Sequence, residues 1–147
     1  MAASAIEARI GKALISRQMR LVLTGWSGVE RQSLPMAPVA RVDAVNVVDA
    51  GGHATSMGAG RWVLRRDMHS PQLVANGGSL PGIPTNGHVE IDFEAGFGTA
   101  AVDVPADLRQ AVLLLAAHYY EARNSSEDRG LPFAVMALLS PHRQVRL

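Results

Sequence analysis

Residues 88–123 read HVEIDFEAGFGTAAVDVPADLRQAVLLLAAHYYEAR, and the spacing of their apolar residues changes part-way along. Val89, Ile91, Phe93 and Ala95 recur at every second position, with Glu90, Asp92 and Glu94 between them. That pattern predicts a strand with one buried and one solvated face. Beyond Pro105 the spacing becomes helical. Leu108, Val112, Leu115 and Tyr119 form one stripe, Ala111, Leu114 and His118 a second beside it, and Leu113, Ala117 and Tyr120 lie on another side. No polar residue interrupts residues 111–117, so this helix needs cover on more than one side. One side can pack on the sheet. A small domain has little else to cover the rest, which makes neighbouring copies of the same chain the natural cover. Leu113, Leu114, Ala117, His118 and Tyr120 are the residues expected at that contact.

The upstream sequence is rich in short strand patterns. In SRQMRLVLTGW, Met19, Leu21 and Leu23 alternate with Gln18 and Arg20, and VARVDAVNVVDAGG is a valine-rich run ending in an Asp-Ala-Gly-Gly turn. RWVLRR and QLVAN are shorter candidates, and Pro and Gly crowd the gaps at SLPMAP and GGSLPGIPTNG. Before them, residues 2–13 predict a short helix with Ser4 as N-cap and Ile6 and Ile10 on one face. After the long helix, Pro105 to about Ser125, a shorter one runs from Pro132 to about Ser140, each with Pro near its first turn. Strands followed by helices, rather than alternating with them, predict an α+β fold: a small antiparallel β-sheet packed with helices, then a long helix, a short helix and an extended tail. The chain reads as a single domain, with residues 1–13 a short helix, 16–97 β-rich, 105–140 helical and 141–147 the tail.

Composition narrows the chemistry. A chain of 147 residues with 48 % hydrophobic and 18 % charged residues can bury a core and is not disordered in type. It has no Cys, which removes disulfides, thiolate metal sites and a cysteine nucleophile. The formal net charge of +1 argues against a surface that is all nucleic-acid footprint. No apolar run approaches the roughly 18 residues of a membrane span, and the start, MAASAIEARIGK, lacks an apolar signal core. The chain is expected to work in the cytoplasm or in something assembled there, with no membrane partner.

Several motifs can imitate active sites. GFGTAA, residues 96–101, has the GxGxxA form of a dinucleotide-binding turn, but VDVP separates it from the helix that should open within it, and no later strand completes the unit. The reading favoured is a glycine-bearing loop and no cofactor. The five histidines, His53, His69, His88, His118 and His142, include no i, i+3 or i, i+4 pair, so no helical metal site is expected. Ser27 lacks the GxSxG context of a nucleophile. The row Glu90, Asp92, Glu94 could be catalytic carboxylates, and is more simply the solvated face of a strand, or a partner for Arg61, Arg65 or Arg66 on a neighbour. His118, Tyr119 and Glu121 could serve a small enzyme, which requires a concave pocket converging on them. A nucleic-acid-binding module would need Arg41, Arg61, Arg65 and Arg66 on one face. Otherwise His118 and the tyrosines are amphipathic residues at the rim of a packed helix.

Three stretches carry a resemblance to a known family. VEIDFEAGFG, then VPADLRQAVLLLAAHYYEAR, then GLPFAVMALLSPHRQVRL resembles the closing pattern of the head–tail connector, or adaptor, proteins of tailed bacteriophages and gene transfer agents. GKALISRQMRLVL is similar to that family's first strand with its preceding helix end, and LPMAPVARVDAVNVVDAGG to its Pro-led second strand and turn. Family members carry further helical sequence before the first strand, of which this sequence has residues 2–13. The resemblance implies a structural virion protein with no enzymatic activity. It implies a ring, usually of twelve copies, attached beneath the portal protein. Such a ring extends the DNA channel without sequence-specific binding and offers a surface to the next neck, stopper or tail protein. It also makes the portal the natural partner of the tail, through His142, Arg143, Val145, Arg146 and Leu147, with alternate side chains entering pockets and arginines meeting carboxylates.

Overall fold

β7 (His88–Ala95) is the strand around which the larger sheet forms. Val89, Ile91, Phe93 and Ala95 are buried, while the alternate residues are only partly covered, as period-two spacing dictates. The computed structural model describes residues 2–124 and 130–143. In it β7 lies between β1 (Arg17–Leu23) and β3 (Val39–Val48), both antiparallel to it, with Ile91 opposite Leu21 on one side and Val45 on the other. β4 (Ala54–Ser56) extends β3, giving the order β1-β7-β3-β4.

A second antiparallel sheet, β2-β6-β5, is built from β2 (Arg31–Ser33), β5 (Trp62–Arg65) and β6 (Gln72–Ala75). The sequence patterns predict one sheet; there are two, and β2 and β4 are too short to show a period. Both sheets contribute to one core. Leu73 of β6 and Leu34 and Leu80 from the connecting loops pack with Val42, Val45, Val89, Ile91 and Phe93.

The helices make a core of their own. α1 (Ala2–Ile10), α2 (Ala106–Glu121) and α3 (Phe133–Leu139) bury Ile6 and Ile10, Leu108, Ala111 and Leu115, and Val135 and Leu139, together with Leu14 and Val104. α2 therefore packs on α1 and α3, and not on the sheet as its apolar face predicts. α1 is also shorter than residues 2–13. Gly11 takes φ +67° and its N–H bonds back to the Glu7 carbonyl at 2.9 Å, a left-handed stop that glycine tolerates. Ser4 lies inside α1 rather than capping it. Pro105 and Pro132 stand immediately before α2 and α3, and their carbonyls accept the first helical bonds from Arg109 and Met136, each at 3.0 Å. After α2 a single 3-10 turn, Ala122–Asn124, continues the chain; Ser125 is outside the described residues.

The two cores meet at the GFG turn. Gly96 donates to the Pro38 carbonyl at 2.9 Å, Phe97 to the Leu14 carbonyl at 3.1 Å, and Ser16 to the Gly98 carbonyl at 2.8 Å. Gly96 has φ +137°, and a Cβ there would lie 2.4 Å from the backbone nitrogen of Ser16. The glycine thus serves a close backbone approach. α2 opens only at Ala106, after a 3-10 turn at Ala101–Asp103, and β7 is the last strand among the described residues. The phosphate-binding reading of GFGTAA has no helix end to rest on.

Gly96→Ala is expected to destabilise the fold by at least about 1–3 kcal/mol, the scale of backbone strain. Gly60→Ala, at a glycine of ordinary φ with nothing within 4 Å of its Cβ position, is expected to change little. Urea denaturation of the two variants checks this; equal midpoints would remove the junction's special role.

Candidate functional site

α2 presents its stripes unequally. Leu108, Ala111 and Leu115 are buried, and Val112, His118 and Tyr119 are half-buried. Leu113, Leu114, Ala117 and Tyr120 face out, with Leu113 at 66 % exposure and Tyr120 at 74 %. Neither α1, α3 nor a sheet covers that side. The residues expected at a subunit contact are therefore outside the fold, save His118, which is partly within it. Its Nε2 is buried with no hydrogen-bond partner among the described residues, and its ring meets that of Tyr119 at a centroid distance of 6.3 Å.

The catalytic alternative finds no convergence here. Tyr119 packs towards the helical core while Glu121 is exposed. A groove of about 370 Å3 does exist beside α2, on the flank towards α1, with Leu113 at the edge between it and the uncovered side. Ala3 and Glu7 of α1, Ile15, Val104, and Val112 and Leu113 of α2 border it, and the lining is almost wholly apolar. None of His118, Tyr119 and Glu121 lines it. No group of three or more His, Asp or Glu side chains able to hold a metal occurs among the described residues. No helix among them is long and apolar enough to cross a membrane.

The acidic row of β7 is neutralised within its own sheet. Arg20 of β1 binds Asp92 through two hydrogen bonds, at 2.6 and 3.1 Å, and approaches Glu90 at 3.5 Å. Arg41 of β3 pairs with Glu94 and with Asp43. The expected partners, Arg61, Arg65 and Arg66, are not those used, because β5 lies in the other sheet and β7 is flanked by β1 and β3. Arg66 instead donates to the Ala40 carbonyl at 2.8 Å. With Arg41 turned to carboxylates, the four arginines do not form the uncompensated basic face that a nucleic-acid module needs. The Arg20 hydrogen bonds hold the Asp92 carboxyl below its ordinary value.

The chain end is tied back onto the fold. Ser140–His142 form a 3-10 turn, where the sequence predicts an extended segment from Pro141. His142 Nε2 lies 2.7 Å from Asp107 Oδ2 in the first turn of α2, and the His142 carbonyl accepts a hydrogen bond from Lys12 Nζ. Lys12 is 1 % exposed, and its Nζ also lies 3.0 Å from His69 Nδ1. Burial pushes the Lys12 pKa down, partly opposed by the charge of Asp67. For Asp107, burial works upward, but the His142 hydrogen bond and charge outweigh it and leave the pKa lowered. His142 is thus spent inside the subunit and is not a free tail residue. Arg143 is exposed, whereas Val145, Arg146 and Leu147 lie outside the described residues.

With this geometry in hand, three solved structures match almost the whole chain. A chain of the neck of an empty gene transfer agent particle, computed with C6 symmetry, has TM-score 0.91 and 52 % identity over 99 % of this chain and 74 % of that one. A chain of the neck of a native particle, computed with C12 symmetry, has TM-score 0.91 and 53 % identity over 99 % and 79 %. A chain of the native virion matches with TM-score 0.91, 53 % identity and 99 % and 74 % coverage. This chain belongs to the family of gene transfer agent neck proteins. No family model and no curated protein matches it.

For a neck protein the informative residues are those left uncovered, and the sequence marks only some of them. The outer side of α2 is visible as surplus apolar spacing. Phe133, 86 % exposed on α3, is not, since FAVMALL reads as a fully buried short helix. Lys12 also went unmarked; a single lysine in a sequence reads as surface, and only the three-dimensional approach of residues 69 and 142 reveals its burial.

The carboxyl groups of Asp92 and Glu7 of this neck protein titrate below their ordinary values of 3.8 and 4.5. Arg20 causes the first shift; for Glu7, burial alone would raise the pKa, and Arg17 and the Leu14 N–H outweigh it. Groups with depressed folded-state pKa values contribute stability above their unfolded values and lose it as pH falls through the folded ones. Thermal unfolding should therefore vary little from neutral pH down to the ordinary carboxylate range and fall steeply below it. Arg20→Ala should lower stability at neutral pH and flatten the acid limb; an unchanged acid limb would show that the Arg20–Asp92 pair contributes nothing.

Proposed function

We propose that this chain is a structural subunit of the particle neck, a single connector domain. In this proposal it assembles as a ring beneath the portal, extends the DNA channel and receives the next neck or tail protein, without catalytic activity. The observation that carries this reading is the match, at 52–53 % identity and TM-score 0.91, to neck chains of particles computed with C6 and C12 symmetry. Those symmetries support a homo-oligomeric ring and are compatible with the twelve copies proposed. The uncovered side of α2 supports the same reading, because Leu113 and Tyr120 exposed on one helix are costly on a monomer and ordinary at a subunit contact. Near-neutral charge, with Arg20 and Arg41 already paired to carboxylates, suits a conduit that lets DNA slide rather than gripping it. The portal is proposed as the partner of the chain end: Arg143 is exposed just after the Ser140–His142 turn, and residues 144–147 of the sequence follow it.

Two experiments test this. Leu113→Asp and Ala117→Glu should leave the purified subunit folded by circular dichroism but cut ring formation in particles by an order of magnitude or more, scored by electron microscopy of necks; normal rings would exclude this side of α2 from subunit contacts. Deletion of residues 144–147, which spares the His142 turn, should give a folded subunit whose DNA-filled heads lose the ring or fail to join tails. Particles with full gene-transfer activity would show that the chain end does not dock.

A further inference from the structure

Resting on the ring reading above, we propose that the groove between α1 and α2 of one copy receives the Phe133–Met136 face of α3 from the next copy. A ring closed by rotation joins two different surfaces of the same subunit, so each copy must carry both an acceptor and a donor. The groove is the acceptor. It holds about 370 Å3, and Ile15, Val112 and Leu113 give it apolar walls. Two charged residues border it: Glu7, already engaged by the Leu14 N–H at 2.8 Å and by Arg17 at 2.9 and 3.1 Å, and Arg109, which is exposed to solvent.

The donor is on α3. Val135 and Leu139 point into the helical core, which turns Phe133 and Met136 outward. These two are three residues apart and so share one face of the helix. Phe133 is the most exposed large apolar residue among the described ones, and FAVMALL carries no charge that would have to be desolvated on docking. An aromatic and a methionine are the residue types enriched where subunits meet. No α3 residue lines the groove, so a copy's own Phe133–Met136 face does not fill its acceptor. Both surfaces are carried by α2, the groove directly and Phe133 through the α2–α3 contact, which fixes the spacing between them in every copy.

The test uses the absence of cysteine from the chain. Particles assembled with Leu113→Cys and Phe133→Cys in one chain are oxidised mildly and run on a denaturing gel. A ladder of covalent multimers is expected from the double variant, at least tenfold above either single variant. Rings that are visible in the double-variant particles but give no ladder would overturn the proposal while leaving the ring reading intact. If the double variant fails to assemble, imaging of the wild-type neck at side-chain resolution decides. Density for the neighbour's Phe133 in the groove supports the proposal, and a groove filled by the portal, another neck protein or the subunit's own remaining residues overturns it. A wild-type neck without a ring of this chain would defeat the ring reading itself.

Discussion

Three backbone hydrogen bonds, from Gly96 to Pro38, Phe97 to Leu14 and Ser16 to Gly98, fix the turn at which the chain passes from a sheet core to a helical core that bury separate sets of side chains. Their geometry requires the chain to pass within van der Waals contact of itself, which is possible only because residue 96 has no Cβ. Through this junction the direction of β7 sets where α2 begins. α2 in turn places α1 on one flank and α3 on another, and so decides which apolar surfaces are left open. The outward surfaces are a downstream result of one glycine turn.

Against that background it is clear why some elements were legible in the sequence and others were not. β7 and α2 have long, regular periods, and their buried residues are those the spacing picks out: Val89, Ile91, Phe93 and Ala95, and Leu108, Ala111 and Leu115. The α+β class follows from their order. β2 and β4, three residues each, owe their existence to the neighbours that pair with them, and no local pattern can show that. The error about what covers α2 has the same origin. An apolar stripe reports that a face is buried and is silent on its partner, here two helices rather than the sheet. The ion pairs of β7 were anticipated in kind but assigned to arginines of the wrong sheet, because strand order is not written in any one strand.

The candidate site shows the same division. Surplus apolarity on α2 pointed to Leu113, Leu114, Ala117 and Tyr120, and all four are uncovered. His118 was grouped with them and is partly inside. The tail was read as extended from Pro141 because proline ends helices. Yet the pull of Asp107 and Lys12 on His142 holds one more turn of chain against the body. Long-range polar partners of that kind leave no trace in local composition.

The burial of Lys12 has a practical consequence. It is the sole lysine, and at 1 % exposure its amine is closed to solvent in the folded subunit. Every other basic chain, histidine aside, is an arginine, whose guanidinium resists acylation at ordinary pH. Amine-directed crosslinkers, dyes or biotin esters applied to intact particles would therefore pass over the side chains of this subunit while marking lysine-bearing proteins around it. Labelling at residue 12 would report instead that the subunit had opened.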